Sequence, residues 1–282
     1  MQISDKLISQ LANWQNTFSN YLFVYCNFHI SKFSHFQIDT LIYSTKGIVL
    51  RSIKYGETSI IAHIFTELFG IQSYLVNGVR TVGKTSKAHF FQPSSILEMD
   101  VYHNELKNLQ RIKDLKWAVL YKNILSDVTK NSVALYMVEL LQKCLKQPET
   151  NEDLFHFCED VFQQLDISDN EVTANFPIYF SLQIAQILGF GLSDNYSEEK
   201  NVFNLTDGNF STENFASQNH LSKELSFHIS QLLKAVHPKD LSEIKMNRHI
   251  RKEILKSLER YYVWHVQDFG SMKTLNILSE IL

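Results

Sequence analysis

Between about Tyr43 and Lys113 the chain alternates apolar and polar residues with a period of two, the pattern of half-buried β-strands. Glycine-containing turns, such as Tyr55-Gly-Glu57 and Phe69-Gly70, separate the alternating segments. The segments that fit a strand are 46–53, 58–66, 71–79, 96–102 and 106–113. Five short strands with glycines at the turns predict a small Greek-key barrel of the OB type.

Beyond Trp117 the apolar spacing changes to that of amphipathic helices. The predicted helices cover 117–125, 133–144, 154–165 and 176–188, resume from Leu221, and end with a long helix that follows an N-cap at Pro238, Asp240 and Glu243 and runs to about Gln267. The stretch 189–219 is rich in Asn, Ser, Asp and Gly and predicts a short β-turn excursion. The predicted class is therefore α+β, with an N-terminal OB-fold β-barrel at 41–116 and an all-helical domain at 117–282.

Residues 1–40 have an atypical composition, with eight aromatic residues and no Glu, Gly or Pro. The apolar run from Tyr21 to Phe28 is too short to span a bilayer, and it lacks the basic flank of a secretory signal. We expect this extension to be disordered or to precede the natural start, which would lie near Leu41.

Charge is distributed unevenly along the chain, although the formal net charge is only −3. Residues 41–116 carry ten Lys and Arg against six Asp and Glu, a balance of +4. Residues 117–200 carry five against thirteen, a balance of −8. The predicted barrel is therefore the basic part of the chain, as expected for a domain that contacts a polyanion.

The cysteines and histidines provide no metal or redox motif. Cys26, Cys144 and Cys158 are widely spaced and form no C-x-x-C pair, which indicates a reducing, cytosolic setting. Neither G-x-S-x-G nor H-E-x-x-H occurs, so the sequence does not indicate an enzyme of those classes, and we expect no catalytic residue, metal or cofactor.

One stretch allows two interpretations. Gly78 to Thr85 satisfies the P-loop pattern G-x-x-x-x-G-K-[ST] for nucleotide phosphates. A P-loop requires a helix that begins at its Lys-Thr, whereas Pro93 and the alternating strand from Ile96 follow within a few residues. The pattern therefore favours a basic loop between strands over a nucleotide hydrolase.

Basic residues interleaved with flat rings are what a nucleic-acid-binding groove requires. The candidate phosphate contacts of the barrel are Arg51, Lys54, Arg80, Lys84 and Lys87. The candidate stacking residues are Tyr55, Tyr74, His89 and Phe90. A four-apart basic ridge on the last long helix adds Arg248, Lys252, Lys256 and Arg260 as weaker candidates. The alternative for each is a solvated loop or ridge whose aromatic residues belong to the core.

Several short motifs, taken in order, resemble a known family. In the first half they are Thr45-Lys-Gly-Ile-Val-Leu-Arg51, Tyr55-Gly-Glu57, Phe65-Thr-Glu67-x-x-Gly70, Gly78-Val-Arg80 with Lys84 and Ser86, and Glu98-Met-Asp-Val-Tyr102 with Glu105-Leu106. Near the end they are Leu258-x-x-Tyr261-Tyr262-x-x-His265, Met272-Lys-x-Leu275 and Leu278. Their order and spacing over 43–282 resemble the RecO family of bacterial recombination mediators.

The resemblance implies an OB-fold domain followed by a helical domain, and a cytoplasmic, nucleoid-associated protein that binds single- and double-stranded DNA. It further implies annealing of complementary strands and cooperation with RecR to load RecA onto strands coated by the single-strand binding protein SSB, without ATP. The acidic C-terminal tail of SSB would dock on the helical domain. Many relatives carry a four-cysteine zinc loop, but the matching stretch 189–219 contains no cysteine, so zinc is not expected here.

Two other functions remain open from the residues alone. A P-loop hydrolase would bind nucleotide through Lys84, and a protein-interaction scaffold would bind peptides without a DNA contact that survives moderate salt.

Overall fold

The computed structural model describes residues 41–79, 87–212 and 219–282. Residues 1–40, which we expect to be disordered or to precede the natural start, lie outside the described residues. Five strands form a closed barrel in the order β1-β2-β3-β5-β4. The strands are β1 Leu41–Tyr55, β2 Ser59–Thr66, β3 Gly70–Val76, β4 Ile96–His103 and β5 Gln110–Trp117. The predicted α+β class with an OB-like N-terminal sheet is confirmed.

A register shift in β1 decides which of its side chains face the core. The β1–β2 pairing shifts between Val49 and Arg51, so Leu50 is a bulged residue. Val49 is buried inside the barrel, whereas Ile48 and Leu50 are buried in a second core shared with the helices. From Gly47 to Leu50 both faces of β1 are therefore covered, whereas from Arg51 to Tyr55 the strand is exposed to solvent.

Six α-helices and one small hairpin follow the barrel in the described part of the chain. They are α1 Val128–Cys144, α2 Glu152–Ile167, α3 Asn170–Ile187, α4 Lys223–Leu233, α5 Arg248–His265 and α6 Thr274–Ile281, with the hairpin strands β6 Val202–Asn204 and β7 Asn209–Ser211 between α3 and α4. Asp127, Asn151, Asp169, Ser222 and Asn247 each accept a backbone hydrogen bond at the start of a helix, as N-cap residues do. None of the helices described here is both long and apolar enough to cross a membrane.

The helix predicted over 117–125 is wrong. Trp117 is the last residue of β5, and the next α-helix begins at Val128. The carboxylate of Asp166, at the end of α2, accepts hydrogen bonds from the backbone N–H groups of Lys122, Asn123 and Ile124 at 2.7–2.8 Å. These donors are satisfied by a tertiary partner, so the segment does not need helical hydrogen bonds.

Two predicted boundaries also need correction. The fifth strand begins at Gln110 instead of residue 106, because the side chain of Gln110 closes the preceding turn by accepting from Asn104 N–H and donating to the carbonyl oxygens of Asn104 and Lys107. Pro238–Glu243 forms a separate 3-10 turn, and α5 starts only at Arg248, where Asn247 supplies the N-cap.

The barrel packs directly on the helices. Lys46 of β1 forms an ion pair with Glu159 of α2 at 2.8 Å, and the Gln142 side chain of α1 donates to the Leu50 carbonyl at 2.7 Å. At the β2–β3 turn, Gly70 lies against the backbone of Glu149 in the loop between α1 and α2. These contacts give the barrel one fixed orientation on the helical part.

The excursion at 189–219 forms a hairpin held by polar side chains, in its described part. Asn195 accepts from the Phe210 N–H at 2.7 Å and donates to its carbonyl at 2.9 Å, and Ser226 of α4 accepts from the Phe203 N–H at 2.8 Å. The Phe203 and Phe210 rings meet edge to face at 5.0 Å. A zinc ion does not fit these residues, which offer amide and hydroxyl groups in place of thiolates. No group of three His, Cys, Asp or Glu side chains in the described ranges is arranged to bind a metal.

Candidate nucleic-acid interface

The pairing of β1, β2 and β3 arranges exposed side chains in rows across the outer face of the barrel. Directly paired residues project to the same face of a sheet. Arg51 pairs with His63, and His63 pairs with Ser73, which together form the Arg51 row. Ala62, the neighbour of His63, is buried inside the barrel, so the Arg51 row faces outward.

A second row runs parallel to the first and is mostly apolar. Ile53 pairs with Ile61, Ile61 with Leu75, and Leu75 with Arg111 of β5. We call Ile53, Ile61 and Leu75 the apolar row; Ile53 is 44% exposed and Arg111, at the end of the row, is exposed. A shallow apolar strip with a cation at its end is suited to a nucleotide, whose base packs against the strip while its phosphate contacts the cation.

His63 is a neutral member of the Arg51 row. Its Nδ1 lies 3.0 Å from Ser73 Oγ. Burial, and then the nearby charge of Arg51, lower the pKa of His63 below its ordinary value. Near neutral pH the positive charge of the row is therefore carried by Arg51.

The end of β1 brings three of the sequence-predicted residues together. Arg51, Lys54 and Tyr55 are all exposed within five positions, and Tyr55 is 52% exposed. Lys54 pairs with Ile60 and Tyr55 with Ser59, immediately before the β1–β2 turn. These side chains are accessible to a ligand on the barrel surface.

A cluster of rings lies beside the segment that enters β4. Ala88–Phe91 forms a 3-10 turn whose Phe91 is buried in the barrel core, while Ser52 Oγ donates to the Phe91 carbonyl at 2.7 Å. His89 lies 4.3 Å from Phe90 between ring centroids, and Phe90 lies 4.7 Å from Trp117. The exposed Lys87 precedes the turn. The structure thus brings Lys87, His89 and Phe90 together.

Sequence reasoning missed two residues of this surface. The position of Trp117 three residues before Leu120 fits helical spacing and predicts a helix there, whereas Trp117 is the last residue of β5. Arg111 was placed in a strand but not at a site, although it follows the inward-facing Gln110 and so must face outward by alternation.

The P-loop pattern lies mostly outside the described residues, which include Gly78 and Val79 but neither Arg80 nor Lys84. Between residue 87 and β4 the chain contains only the four-residue 3-10 turn. No α-helix follows the pattern in residues 87–95, so that part of a P-loop's required context is absent from them.

Tyr74 cannot serve as a stacking residue in this structure. It is 0% exposed, because it points into the barrel from β3 opposite Gln110. Its hydroxyl is buried with no hydrogen-bond partner among the described residues, and burial raises the pKa of Tyr74. The prediction of a base contact is corrected, since the ring belongs to the core.

We expect Tyr74→Phe to leave DNA affinity unchanged and to raise the free energy of unfolding by up to about 1 kcal/mol, because it removes a buried hydroxyl that lacks a partner. Urea denaturation and fluorescence anisotropy with labelled oligo-dT measure the two effects. Tyr55→Ala is the comparison, with an expected loss of affinity and no loss of stability. A severalfold weaker complex with Tyr74→Phe would contradict the assignment of Tyr74 to the core.

The basic ridge of α5 is partly engaged within the protein. Arg248 donates from Nε and Nη2 to the Ser279 carbonyl near the end of α6, at 3.1 and 2.8 Å. Lys256 forms an ion pair with Glu253 at 3.0 Å, and the Arg260 guanidinium lies 6.0 Å from the Trp264 ring centroid. Lys252 is half-buried. The ridge therefore includes side chains that stabilise the C-terminal helices.

Comparison with known proteins places both halves of the chain in one family. A family model described as "Recombination protein O N terminal" matches residues 41–121, and one described as "Recombination protein O C terminal" matches residues 125–274. Together these matches span the barrel and all helices up to the start of α6.

Individual relatives agree over nearly their whole length. The DNA repair protein RecO of Flavobacterium johnsoniae is 32% identical over 240 residues, which cover 84% of this chain and 98% of the relative. That of Christiangramia forsetii is 31% identical over 242 residues, with the same coverage of both chains. That of Azobacteroides pseudotrichonymphae is 27% identical over 241 residues, which cover 86% of this chain and 99% of the relative. The barrel followed by helices, the two family matches and these relatives agree, and the chain belongs to the RecO family of DNA repair proteins.

Proposed function

We propose that this protein is a non-enzymatic recombination mediator that binds single- and double-stranded DNA and anneals complementary strands. In this proposal it acts with RecR to load RecA onto SSB-coated single strands, in the cytoplasm at the nucleoid. Residues 41–116 form the DNA-binding domain, and the helical domain at 117–282 receives the acidic tail of SSB. Membership of the RecO family supports each part.

The observation that carries the proposal is the outer face of the barrel. It combines Arg51 and Tyr55 at the exposed end of β1 with the apolar row next to them. Lys54, also exposed, lies on the opposite face of the same strand end, since it pairs with the buried Ile60. Arginine and lysine neutralise phosphates in any sequence, and exposed rings and aliphatic side chains pack against unstacked bases. Such a surface binds DNA without reading base edges, as a protein that acts on any broken DNA must.

The ring cluster is a second candidate site, which lies beside β1 where Ser52 donates to the Phe91 carbonyl. We propose that His89, Phe90 and Trp117 stack bases next to a phosphate contact by Lys87, and that Arg80 and Lys84 make further phosphate contacts. The proposal for Arg80 and Lys84 stands on the sequence alone. Replacing Arg80, Lys84 and Lys87 together with alanine should weaken binding to all sequences.

The first test is a triple substitution of described residues, Arg51→Ala, Lys54→Ala and Lys87→Ala. We expect the affinity for labelled oligo-dT and for a duplex to fall about 10- to 100-fold at moderate salt, because three phosphate contacts are lost. The salt slope of the binding constant should flatten by about one unit for each contact. Fluorescence anisotropy over a salt series, with and without ATP, measures both quantities.

The control is Lys200→Ala, which removes one exposed cation from the helical part. It should leave both affinities unchanged, and ATP should have no effect on any variant. Unchanged binding by the triple variant would reject these surfaces of the barrel as the DNA site. Absence of binding by the wild-type chain at low salt would favour a protein-interaction scaffold, and binding that requires ATP and Lys84 would favour a P-loop.

A further inference from the structure

A groove of about 690 Å³ lies between the barrel and the helices. One wall is the outer face of β2 and β3, the second is the loop between β4 and β5, and the third is the loop between α1 and α2. Residues from the three walls include His63, Ser73, Lys107, Asn108, Lys146 and Thr150. The groove is therefore built from both parts of the chain.

The groove is continuous with the proposed DNA surface. His63 and Ser73 belong to the Arg51 row and also line the groove. A strand that contacts Arg51 can therefore pass along this row from the barrel surface into the groove.

The lining offers both kinds of contact that a nucleotide needs. Lys107 and Lys146 supply positive charge, and the Lys146 ammonium also donates to the Gln267 carbonyl. Asn108 supplies an amide group that can pair with base edges, and Gln72 supplies its amide oxygen, since its nitrogen donates to the Phe69 carbonyl. The Phe69 and His103 rings are stacked 3.8 Å apart at 12° and contribute flat apolar surface.

The lining also contains a carboxylate, Glu105, which is exposed. It repels a phosphate, so a bound backbone should pass nearer to Lys107 and Lys146 than to Glu105. Removal of this charge should strengthen binding, which distinguishes a nucleic-acid site from a neutral surface.

The size of the groove selects the form of the nucleic acid. A volume of about 690 Å³ suits one or two nucleotides, the size class of ligands that such cavities hold. The bases of a duplex are paired and stacked and cannot enter, whereas unstacked bases of a single strand can.

We infer that this groove is a single-strand-specific subsite, which takes one or two unstacked nucleotides of a DNA strand that crosses the Arg51 row. The inference rests on the proposed function, because it assumes that the outer face of the barrel binds DNA. It assigns strand preference to Lys107, Asn108 and the Phe69–His103 ring pair. The barrel face then binds both forms of DNA, and the groove binds only single strands.

The double substitution Lys107→Ala and Asn108→Ala tests the groove with two exposed side chains whose loss leaves the core intact. Affinity for labelled oligo-dT should fall about three- to tenfold, while affinity for a duplex stays the same. Glu105→Gln should raise affinity for oligo-dT about two- to threefold without a change for the duplex. Lys200→Ala, which like the double substitution removes one positive charge, is the control.

The failures of the two proposals are distinguishable. If the Arg51, Lys54 and Lys87 variant binds both DNA forms weakly but the groove variants bind oligo-dT as the wild type does, the groove inference alone is overturned. Equal losses for oligo-dT and duplex in the groove variant would also overturn it, since the site would then lack strand selectivity.

Photocrosslinking locates the strand directly. An oligo-dT with one 5-iodouracil is irradiated with the full-length protein, and the attached peptides are identified by mass spectrometry. Attachment at Phe69 or His103 supports the subsite. Attachment confined to other residues, such as Tyr55 or Trp117, overturns it.

Discussion

Gly70→Ala should lower the free energy of unfolding by about 3–4 kcal/mol and the melting temperature by about 10 °C. Gly70 has a φ of +61°, a conformation that costs an L-residue about 1 kcal/mol or more. An added Cβ would also meet the backbone of Glu149, within 2.7 Å of its carbonyl carbon and closer still to its oxygen. Because both partners are backbone, no side chain can rotate away to relieve the contact.

Gly56→Ala is a matched control for this prediction. Gly56 has nearly the same φ, +62°, but a Cβ there would meet nothing within 4 Å. Gly56→Ala should therefore lower the free energy of unfolding by only about 1 kcal/mol, the cost of an alanine at positive φ. Differential scanning calorimetry or urea denaturation of both variants compares the two. Equal losses at Gly56 and Gly70 would show that the junction between the barrel and the helices tolerates displacement, contrary to the close contact with Glu149.

Asp166→Ala should destabilise the protein by about 3 kcal/mol, because it leaves three backbone N–H groups without their acceptor. These are the bonds from Lys122, Asn123 and Ile124, and Asp166 itself is buried. Asp169→Ala is the control, since the Asp169 side chain accepts from a single backbone N–H, that of Val172, at the start of α3. An ordinary N-cap loss of about 1 kcal/mol is expected there.

The contribution of Asp166 to the free energy of unfolding should decrease at low pH. Burial raises the pKa of Asp166, but the three backbone hydrogen bonds outweigh it and hold the pKa below its ordinary value of 3.8. The folded state thus binds the proton more weakly than the unfolded state, and the stabilisation is present above pH 3.8 and lost as pH falls further. The stability difference between wild type and Asp166→Asn should shrink in urea titrations below that pH. A difference that stays constant into strong acid would contradict the assigned role of the carboxylate.

Local patterning predicted most elements of the fold. The alternation in β2 and β4 and the helical spacing in α1, α2 and α3 are strong because each of these elements covers a core on a defined face. The segment 117–125 failed for a specific reason. Its apolar spacing fits a helix, but its backbone donors bind Asp166, which lies more than forty positions later in the sequence. Local propensity cannot include such a partner.

The candidate site was predictable by residue type and only partly by position. Arg51, Lys54 and Tyr55 lie within five positions of one another, and their shared exposure follows from the strand end on which they lie. Tyr74 and Tyr55 look alike as strand tyrosines, yet Tyr74 faces the barrel interior because it alternates with the outward-facing Ser73 and Leu75 on β3. Trp117 joined the site only when β5 brought it against Phe90.

By itself the sequence determined the α+β class, the basic character of the first module, the absence of cysteine ligands in the hairpin region and the motifs of the RecO family. These properties depend on composition and on spacing along the chain, which are local. The tertiary structure alone decided that Asp166 accepts the backbone hydrogen bonds of 122–124 in place of a helix. It also decided that Gly70 touches Glu149 and that a groove continues the Arg51 row. Each of these depends on contacts between residues distant in sequence, whose geometry is set by how the closed barrel packs on the helices.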